Sequence, residues 1–256
     1  MTIIDALILG TVEGLTEFLP ISSTGHLILV SDLLGLKQTE AHKAFEVSIQ
    51  LGSILAVLFL FAQKLLADKT LWYKISLAFI PTAIFGFLFY KSIKGLFGIE
   101  TVAIMLIIGG IAFLILEYFR RNADESNCKS VENLTYQEAL MIGVFQSISM
   151  VPGTSRSGMT MIGGIFAGLS RKSAAEFSFL LAIPTMVVAT AYDLYKNRST
   201  MVVDDYTLLV VGFITAFVVA LVTVKAVMKF LTSHTFVVFG VYRIVVGLIF
   251  WIFIIK

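Results

Sequence analysis

Apolar positions gather along the chain in runs of two lengths. Long runs cover about 45–62, 73–90, 99–119, 176–195, 206–224 and 236–255. Each approaches the ~20 residues that a helix needs to cross a bilayer. Short runs cover about 1–19, 26–36, 138–151 and 158–169, and none is a comfortable span. The short runs come in pairs. The first pair is broken at Pro20 and the serines after it, the second at Pro152-Gly153. A pair of this kind reads as a re-entrant hairpin, which a membrane protein tolerates where protein or a water-filled cavity covers the freed backbone. The order is a broken hairpin and three spans, twice, with a polar loop from Arg120 to Tyr136 between the halves. The predicted fold is all-α, polytopic and membrane-embedded. It is one domain over 1–256, with repeat 1 at about 1–119 and repeat 2 at about 136–256.

The residues follow the same period. Gly10-x-x-Glu13 aligns with Gly143-x-x-Gln146, and Pro20-x-Ser22-Ser23 with Pro152-x-Thr154-Ser155. Leu34-Gly35-Leu36 aligns with Ala167-Gly168-Leu169, and Glu46-x-Ser48 with Glu176-x-Ser178. Four matches in order imply an internal duplication. A hairpin returns to its own side and three spans cross an odd number of times, so the second half enters from the opposite face. This is an inverted-topology repeat, with its site expected near the midplane where broken helices meet. Lys64, Lys69, Arg120, Arg121, Lys129, Arg171, Lys172, Lys225 and Lys229 then fall on one side. Lys37, Lys43, Lys91, Lys94, Lys196, Arg198 and Lys256 fall on the other. The first side is richer and is assigned to the cytoplasm.

Composition agrees. The 256 residues are 58% hydrophobic and 14% charged, against about 25% charged in soluble domains, and mean hydropathy is +0.93. A net charge of +2 gives no reason to expect a nucleic-acid partner. Cys128 is the sole cysteine, so no internal disulfide is available. Asp5, Glu13 and Glu17 interrupt the first apolar run, and no basic stretch precedes it, so a secretory signal is not expected there.

Chemistry concentrates at the two breaks. An ionisable group at the centre of a membrane helix costs roughly 2.5–3.5 kcal/mol on insertion scales and marks function by default. Glu13 and Glu17 are four apart and share a helix face. They suit a hard divalent cation, Mg²⁺ or Ca²⁺, that bridges to phosphate oxygens; one of them also suits a proton acceptor. A pair of acids on a wetted face is the plain alternative, but Leu9, Val12, Leu15, Phe18 and Leu19 flank them. Ser22, Ser23 and Thr24 follow Pro20, where hydroxyls cap the next helix and free N–H groups bind phosphate. Ser23 and His26 are three apart and can share a face, as a nucleophile and its base do. His26 could equally be a cross-helix hydrogen-bonding group. Arg156 sits in the second break among Thr154, Ser155, Ser157 and Thr160. Its fork fits phosphate oxygens, and it could also pair with Glu13 or Glu17. Glu46 and Glu176 read as near-interface residues or hydrogen-bond acceptors within their own repeats. Gly10, Gly14, Gly109, Gly110, Gly163 and Gly164 read as close-approach positions between helices.

At these motifs the chain resembles the bacterial undecaprenyl-pyrophosphate phosphatase family of the bacitracin-resistance type. The likeness lies in Glu13-Gly-Leu-Thr-Glu17 running into Pro20-Ile-Ser-Ser-Thr-Gly-His26, and in Pro152-Gly-Thr-Ser-Arg-Ser-Gly-Met-Thr160. Phe45-Glu46-Val47-Ser48-Ile49-Gln50 and Ala175-Glu176-Phe177-Ser178-Phe179 share it. The resemblance implies hydrolysis of a polyprenyl pyrophosphate lipid to its monophosphate and inorganic phosphate, recycling the carrier for cell-wall polymers. It implies a divalent cation, Mg²⁺ or Ca²⁺, held by Glu13 and Glu17. Matched by position, the catalytic residues are Glu13, Glu17, Ser23, His26 and Arg156. Ser22, Thr24, Thr154, Ser155, Ser157 and Thr160 are expected to bind substrate. The expected location is the bacterial plasma membrane, with the site open to its outer face. Partners are the lipid substrate and membrane lipids, a homodimer being left open. The rival reading is a lipid-phosphate flippase or anion transporter using the same inverted-repeat site. The acid pair and the Ser–His pair exceed what phosphate binding needs. There is no Walker A sequence, which argues against an ATP-driven pump. His42 and His234 are expected in loops, which leaves no multi-histidine site.

Overall fold

The computed structural model describes residues 1–37, 39–89, 92–93, 95–96, 98–197 and 206–253. Lys91, Lys94, Arg198 and Lys256, counted above toward one face, lie outside them, as do the last residues of the spans expected at 73–90 and 236–255. The first hairpin is α1 (Ile3–Thr16) and α2 (Ser23–Leu33), followed by α3 (Glu40–Ala67), α4 (Lys69–Leu88) and α5 (Ile99–Phe119). The second is α6 (Tyr136–Ile148) and α7 (Arg156–Phe166), followed by α8 (Arg171–Asn197), α9 (Tyr206–Phe230) and α10 (Val237–Phe253). Helix α1 has 14 residues and α7 has 11. At 1.5 Å per residue these are about 21 and 17 Å long, too short for a ~30 Å hydrocarbon core. Helices α3, α4, α5, α8 and α9 are long and apolar enough to cross. Helix α10 is shorter, at 17 residues. The chain is therefore an all-α, multi-pass membrane protein.

Local sequence sets the same boundaries in both halves. Thr2 and Asp5 form a capping box at the start of α1, and Thr135 and Glu138 form another at the start of α6. Each box satisfies two backbone donors that a helix start leaves free. Helices α2 and α7 both end on a left-handed glycine, Gly35 at φ 66° and Gly168 at φ 84°. Leu36 N–H then reaches back to Ser31 O at 2.9 Å, and Leu169 N–H to Gly164 O at 3.0 Å. That closure needs a residue without a Cβ penalty at positive φ.

The main helix pairs cross between the halves. Helix α1 packs on α9 and α6 on α4, while α5 packs on α10. A Cβ on Gly10 would lie 2.6 Å from Gly212 O of α9. Gly143, its counterpart, meets the backbone of Ala78 in α4 in the same way. Large apolar side chains such as Phe59, Phe87, Ile108, Ile115 and Val222 stay exposed, as a lipid-facing surface requires.

One end of the molecule is polar and cross-linked. Lys64 of α3 bonds both Glu132 and Glu176, and Lys74 donates to Glu132 O at 2.8 Å. Arg171 binds Glu117 and also Glu125, the latter at 2.7 Å. Glu176 therefore pairs with the first half of the chain rather than within its own half. Glu46 keeps a local partner, His42, at 3.2 Å. His42 is not in a loop: it lies in the first turn of α3, buried, with Thr39 capping its backbone N–H. The loop from Arg120 is folded too, into two 3-10 turns and a bridge from Lys129 to Leu169.

Candidate active site

Both breaks turn on a serine in a conformation that L-residues rarely adopt. Ser22 has φ 71° and Ser155 φ 77°, and they are the only non-glycine residues at positive φ among those described. Both are helix N-caps, so the breaks correspond with Ser22 on Ser155, one residue out of register from the match of Pro20 with Pro152. Such backbone persists where its surroundings over-determine it, and it clusters at functional sites. Here the turn stops one helix and starts the next, and the first residues of α7 face the first break, where Arg156 meets Glu17 and Ser157 meets Leu19 O. Ser155 caps α7 by accepting from Gly158 N–H at 3.1 Å, whereas Ser22 makes no side-chain cap.

The two breaks are bound together. Ser157 donates from Oγ to Leu19 O at 2.8 Å. Arg243 of α10 does more. It is fully buried and donates to Pro20 O (2.9 Å) in the first break and to Gly153 O (3.1 Å) and Thr154 O (3.0 Å) in the second. It also donates to Met105 O (3.0 Å) and Leu106 O (3.3 Å) of α5. Three of these carbonyls, those of Pro20, Gly153 and Thr154, lie in the breaks, outside helical hydrogen bonding, while Met105 and Leu106 belong to the interior of α5. Gly109 makes the room, since a Cβ there would collide with the guanidinium.

The catalytic candidates form a chain across this junction. Arg156 Nη2 donates to Glu17 Oε1 at 2.7 Å, and Ser23 Oγ donates to Glu17 Oε2 at 2.5 Å. Arg156 Nη1 donates to Ser178 O at 3.0 Å, and its guanidinium lies 5.9 Å from the centre of the Phe18 ring. Of the two acids open to it, Arg156 pairs with Glu17. Ser23 likewise turns to Glu17, not to His26. His26 Nδ1 instead meets Ser22 O at 2.8 Å and Nε2 meets the Tyr242 hydroxyl at 2.7 Å.

Glu13 is fully buried, and its carboxyl oxygens meet no N–H or hydroxyl donor; the acidic group beside it is the Glu17 carboxyl. Thr154 Oγ1 and Arg156 Nε are likewise without a hydrogen-bond partner. The repeat-related Gln146 is satisfied: its Nε2 donates to Thr82 at 2.8 Å and to Thr185 at 3.1 Å. Orphaned buried polar atoms call for a ligand or ion, and two bare carboxylate oxygens are what a hard cation takes. Among the described residues there is no cluster of three or more His, Cys, Asp or Glu to complete a cage. Oxygens of a bound phosphate would have to supply the rest.

The remaining expected binders divide. Thr24 is exposed, and Thr154 is buried with a free hydroxyl. Thr160 is committed inward, to Arg156 O and Ser157 O at 3.0 Å and to Ser178 Oγ at 2.5 Å. Ser155 Oγ lies 3.1 Å from Ser157 Oγ. Ser157 and Thr160 therefore brace the second break. Sequence reasoning missed Arg243 and Tyr242. The signal was an adjacent Tyr-Arg pair inside an apolar span, where an ionisable residue is itself a flag.

A family model described as bacitracin resistance protein BacA matches residues 6–249. The chain is 58% identical over 250 residues to a Wolinella succinogenes protein named undecaprenyl-diphosphatase, covering 98% of this chain and 97% of that one. It is 56% identical over 252 residues to the Sulfurihydrogenibium sp. protein of the same name, covering 98% and 99%. For the Aquifex aeolicus namesake the identity is 52% over 254 residues, covering 98% of each.

Proposed function

The chain belongs to the bacitracin resistance protein BacA family, and on that footing we propose that it is a membrane phosphatase acting on undecaprenyl pyrophosphate. It yields undecaprenyl phosphate and inorganic phosphate, and so returns the lipid carrier to cell-wall synthesis. The observation that carries the assignment to this site is the Arg156–Glu17–Ser23 chain, which unites a phosphate-binding cation, an acceptor and a hydroxyl across the two breaks. A flippase or anion carrier would use the arginine and the helix ends, but has no need of a hydroxyl hydrogen-bonded to a carboxylate.

The pyrophosphate enters between the breaks, and the prenyl tail lies along the apolar exterior. Arg156 exchanges its bond to Glu17 for phosphate oxygens, which frees the carboxylate to accept a proton. Ser23 Oγ attacks the terminal phosphorus and its proton passes to Glu17. The phosphoanhydride bond breaks, and its electron pair leaves on the bridging oxygen of undecaprenyl phosphate. Water then attacks the phosphoserine phosphorus while His26 takes a proton from that water; the P–Oγ bond breaks, and Ser23 Oγ leaves with the proton that Glu17 returns. Positioning and charge neutralisation supply most of the catalysis in phosphoryl transfer. A divalent cation, Mg²⁺ or Ca²⁺, held by Glu13 with Glu17, would neutralise phosphate charge when bound. The bare oxygens of Glu13 support that assignment.

Several finer features belong to the same proposal. The inverted repeat is supported by the matched capping boxes, left-handed serines and glycine endings, and by the crossed pairs α1–α9 and α6–α4. The location is the bacterial plasma membrane, with the site open to the outer face. It is supported by the gathering of Lys64, Arg120, Lys129 and Arg171 at one end, which we assign to the cytoplasm. A homodimer belongs to the proposal as well, and mass measurement in detergent tests it.

The test is phosphate release from purified protein given undecaprenyl or farnesyl pyrophosphate, with Mg²⁺, with Ca²⁺ and with chelator. Metal-dependent release, abolished in Arg156→Ala, is expected. No release under any metal would return the site to transport. Retained activity in Ser23→Ala would replace the covalent step with direct attack by water.

A further inference from the structure

Resting on the phosphatase reading, we propose that Tyr242 is a positioning residue for His26, fixing which ring nitrogen can take a proton. His26 Nδ1 lies 2.8 Å from Ser22 O. A carbonyl oxygen only accepts, so Nδ1 carries the hydrogen. In the neutral ring Nε2 is then the acceptor, and the Tyr242 hydroxyl, 2.7 Å away, donates to it. The two rings lie nearly parallel, 9° apart, with centroids 5.6 Å from each other. The tyrosine thus meets the imidazole at its Nε2 edge, with the two ring planes aligned.

The surrounding backbone serves the same end. Ser22 O accepts from His26 N–H at 3.3 Å as well as from Nδ1, so both lone pairs of one carbonyl are spent on one histidine. Ser22 is the left-handed residue of the first break, and its unusual conformation places that carbonyl. Tyr242 follows from its neighbour in the same way. Arg243 anchors α10 to both breaks, so the preceding residue arrives at His26 in fixed register.

The tyrosyl hydroxyl suits this task because it both donates and accepts. When Nε2 gains a proton it becomes a donor. The hydroxyl then turns to accept, and no heavy atom has to move. The proton reaches Nε2 by way of the hydroxyl: the phenolic hydrogen passes to Nε2 and a proton from water takes its place on the oxygen, so the charge rests on the imidazole and the tyrosine ends neutral. His26 is 8% exposed and Tyr242 is 41% exposed, so the hydroxyl stands between the buried ring and the outside. A tyrosine that merely filled space would need the ring alone.

Wild type, Tyr242→Phe and Tyr242→Leu would be compared in detergent by farnesyl pyrophosphate hydrolysis. Nitrogen NMR of histidine-labelled protein would run beside it, with His26 assigned through His26→Gln. We expect Tyr242→Phe to lower kcat about tenfold, a part of the 10²–10⁴ that a positioned acid–base group contributes, with KM unchanged. The Nε2 resonance should shift toward the unbonded value, and Tyr242→Leu should lose more activity. Wild-type kcat in Tyr242→Phe, a change confined to KM, or an unmoved Nε2 resonance would overturn the proposal. So would a wild-type spectrum with the hydrogen on Nε2 and a bare Nδ1, which decides the matter even if the variants do not fold. Lack of hydrolysis by wild type would sink the phosphatase reading separately, leaving the NMR arm to judge the Tyr–His bond.

Discussion

Arg156 and Glu17 stand 139 residues apart in the chain and 2.7 Å apart in the fold. Both are largely buried. Removing one member of a buried pair leaves a bare charge, at a cost of about 3–5 kcal/mol. Arg156→Ala should therefore lose phosphate release and also melt earlier in detergent. Arg156→Lys should regain part of the stability but little activity, because a point charge lacks the fork that spans Glu17 Oε1 and Ser178 O. Thermal unfolding and phosphate release on the same samples separate the two effects.

Glu13 should behave in the opposite sense. Its oxygens meet no cation and no N–H or hydroxyl donor, and its neighbour is a second acid, Glu17. Glu13→Gln, which removes one of two adjacent acids and adds a donor, is therefore expected to leave the melting temperature unchanged or to raise it. The same change should shift the Mg²⁺ or Ca²⁺ needed for half-maximal activity upward by about tenfold or more. Chelator should lower the melting temperature of wild type but not that of the variant. Equal metal dependence in both proteins would remove Glu13 from the cation site.

Arg243 makes bonds to five carbonyl oxygens. Arg243→Met should destabilise by about 3 kcal/mol or more, through the unsatisfied carbonyls. Gly109→Ala gives an independent probe, since its methyl would press on the guanidinium from α5. Both variants should lose activity in step with stability, read as residual phosphate release against melting temperature. Gly98→Ala, with nothing near the added methyl, should match wild type.

The polar end gives a pH signature. The hydrogen bond from Lys64 holds the Glu132 carboxyl down at about 2, from an ordinary 4.5. A carboxyl with a depressed folded-state value adds stability that is complete above the unfolded value and fades as pH falls toward the folded one. Unfolding measured from pH 5 to pH 2 should show this loss in wild type. Glu132→Gln should show a shallower slope over the same window and no change in slope above it.

Much of this architecture can be read from residue order alone. The four short helices, the crossing spans and the two chemical stretches follow from apolar run length and from Pro and Gly placement. The repeat offset predicts that Thr2 and Thr135, or Gly35 and Gly168, do the same work. Contacts made through the turns are less legible. A spacing of three puts Ser23 and His26 on one helix face, yet Ser23 opens α2 and reaches back to Glu17 across the break. His26 meanwhile points to α10, more than two hundred residues on. His42 carries no helical signal of its own, because the apolar stretch of α3 begins only after its first turn. Arg243 and Tyr242 have no motif around them. Their roles arise from where the last helix lands, a tertiary fact that local pattern does not contain.

That landing sets the timing of the protein's birth. Helix α10 leaves the ribosome only after both breaks have been made. Until it docks, nothing offers hydrogens to Pro20, Gly153 and Thr154, and His26 has no hydroxyl to meet. A nascent chain can thus hold every acid, serine and arginine of the site and remain a hydrolase in waiting. Synthesis of α10, in effect, decides when lipid pyrophosphate can first be cut, and a chain truncated before Val237 enters the membrane silent.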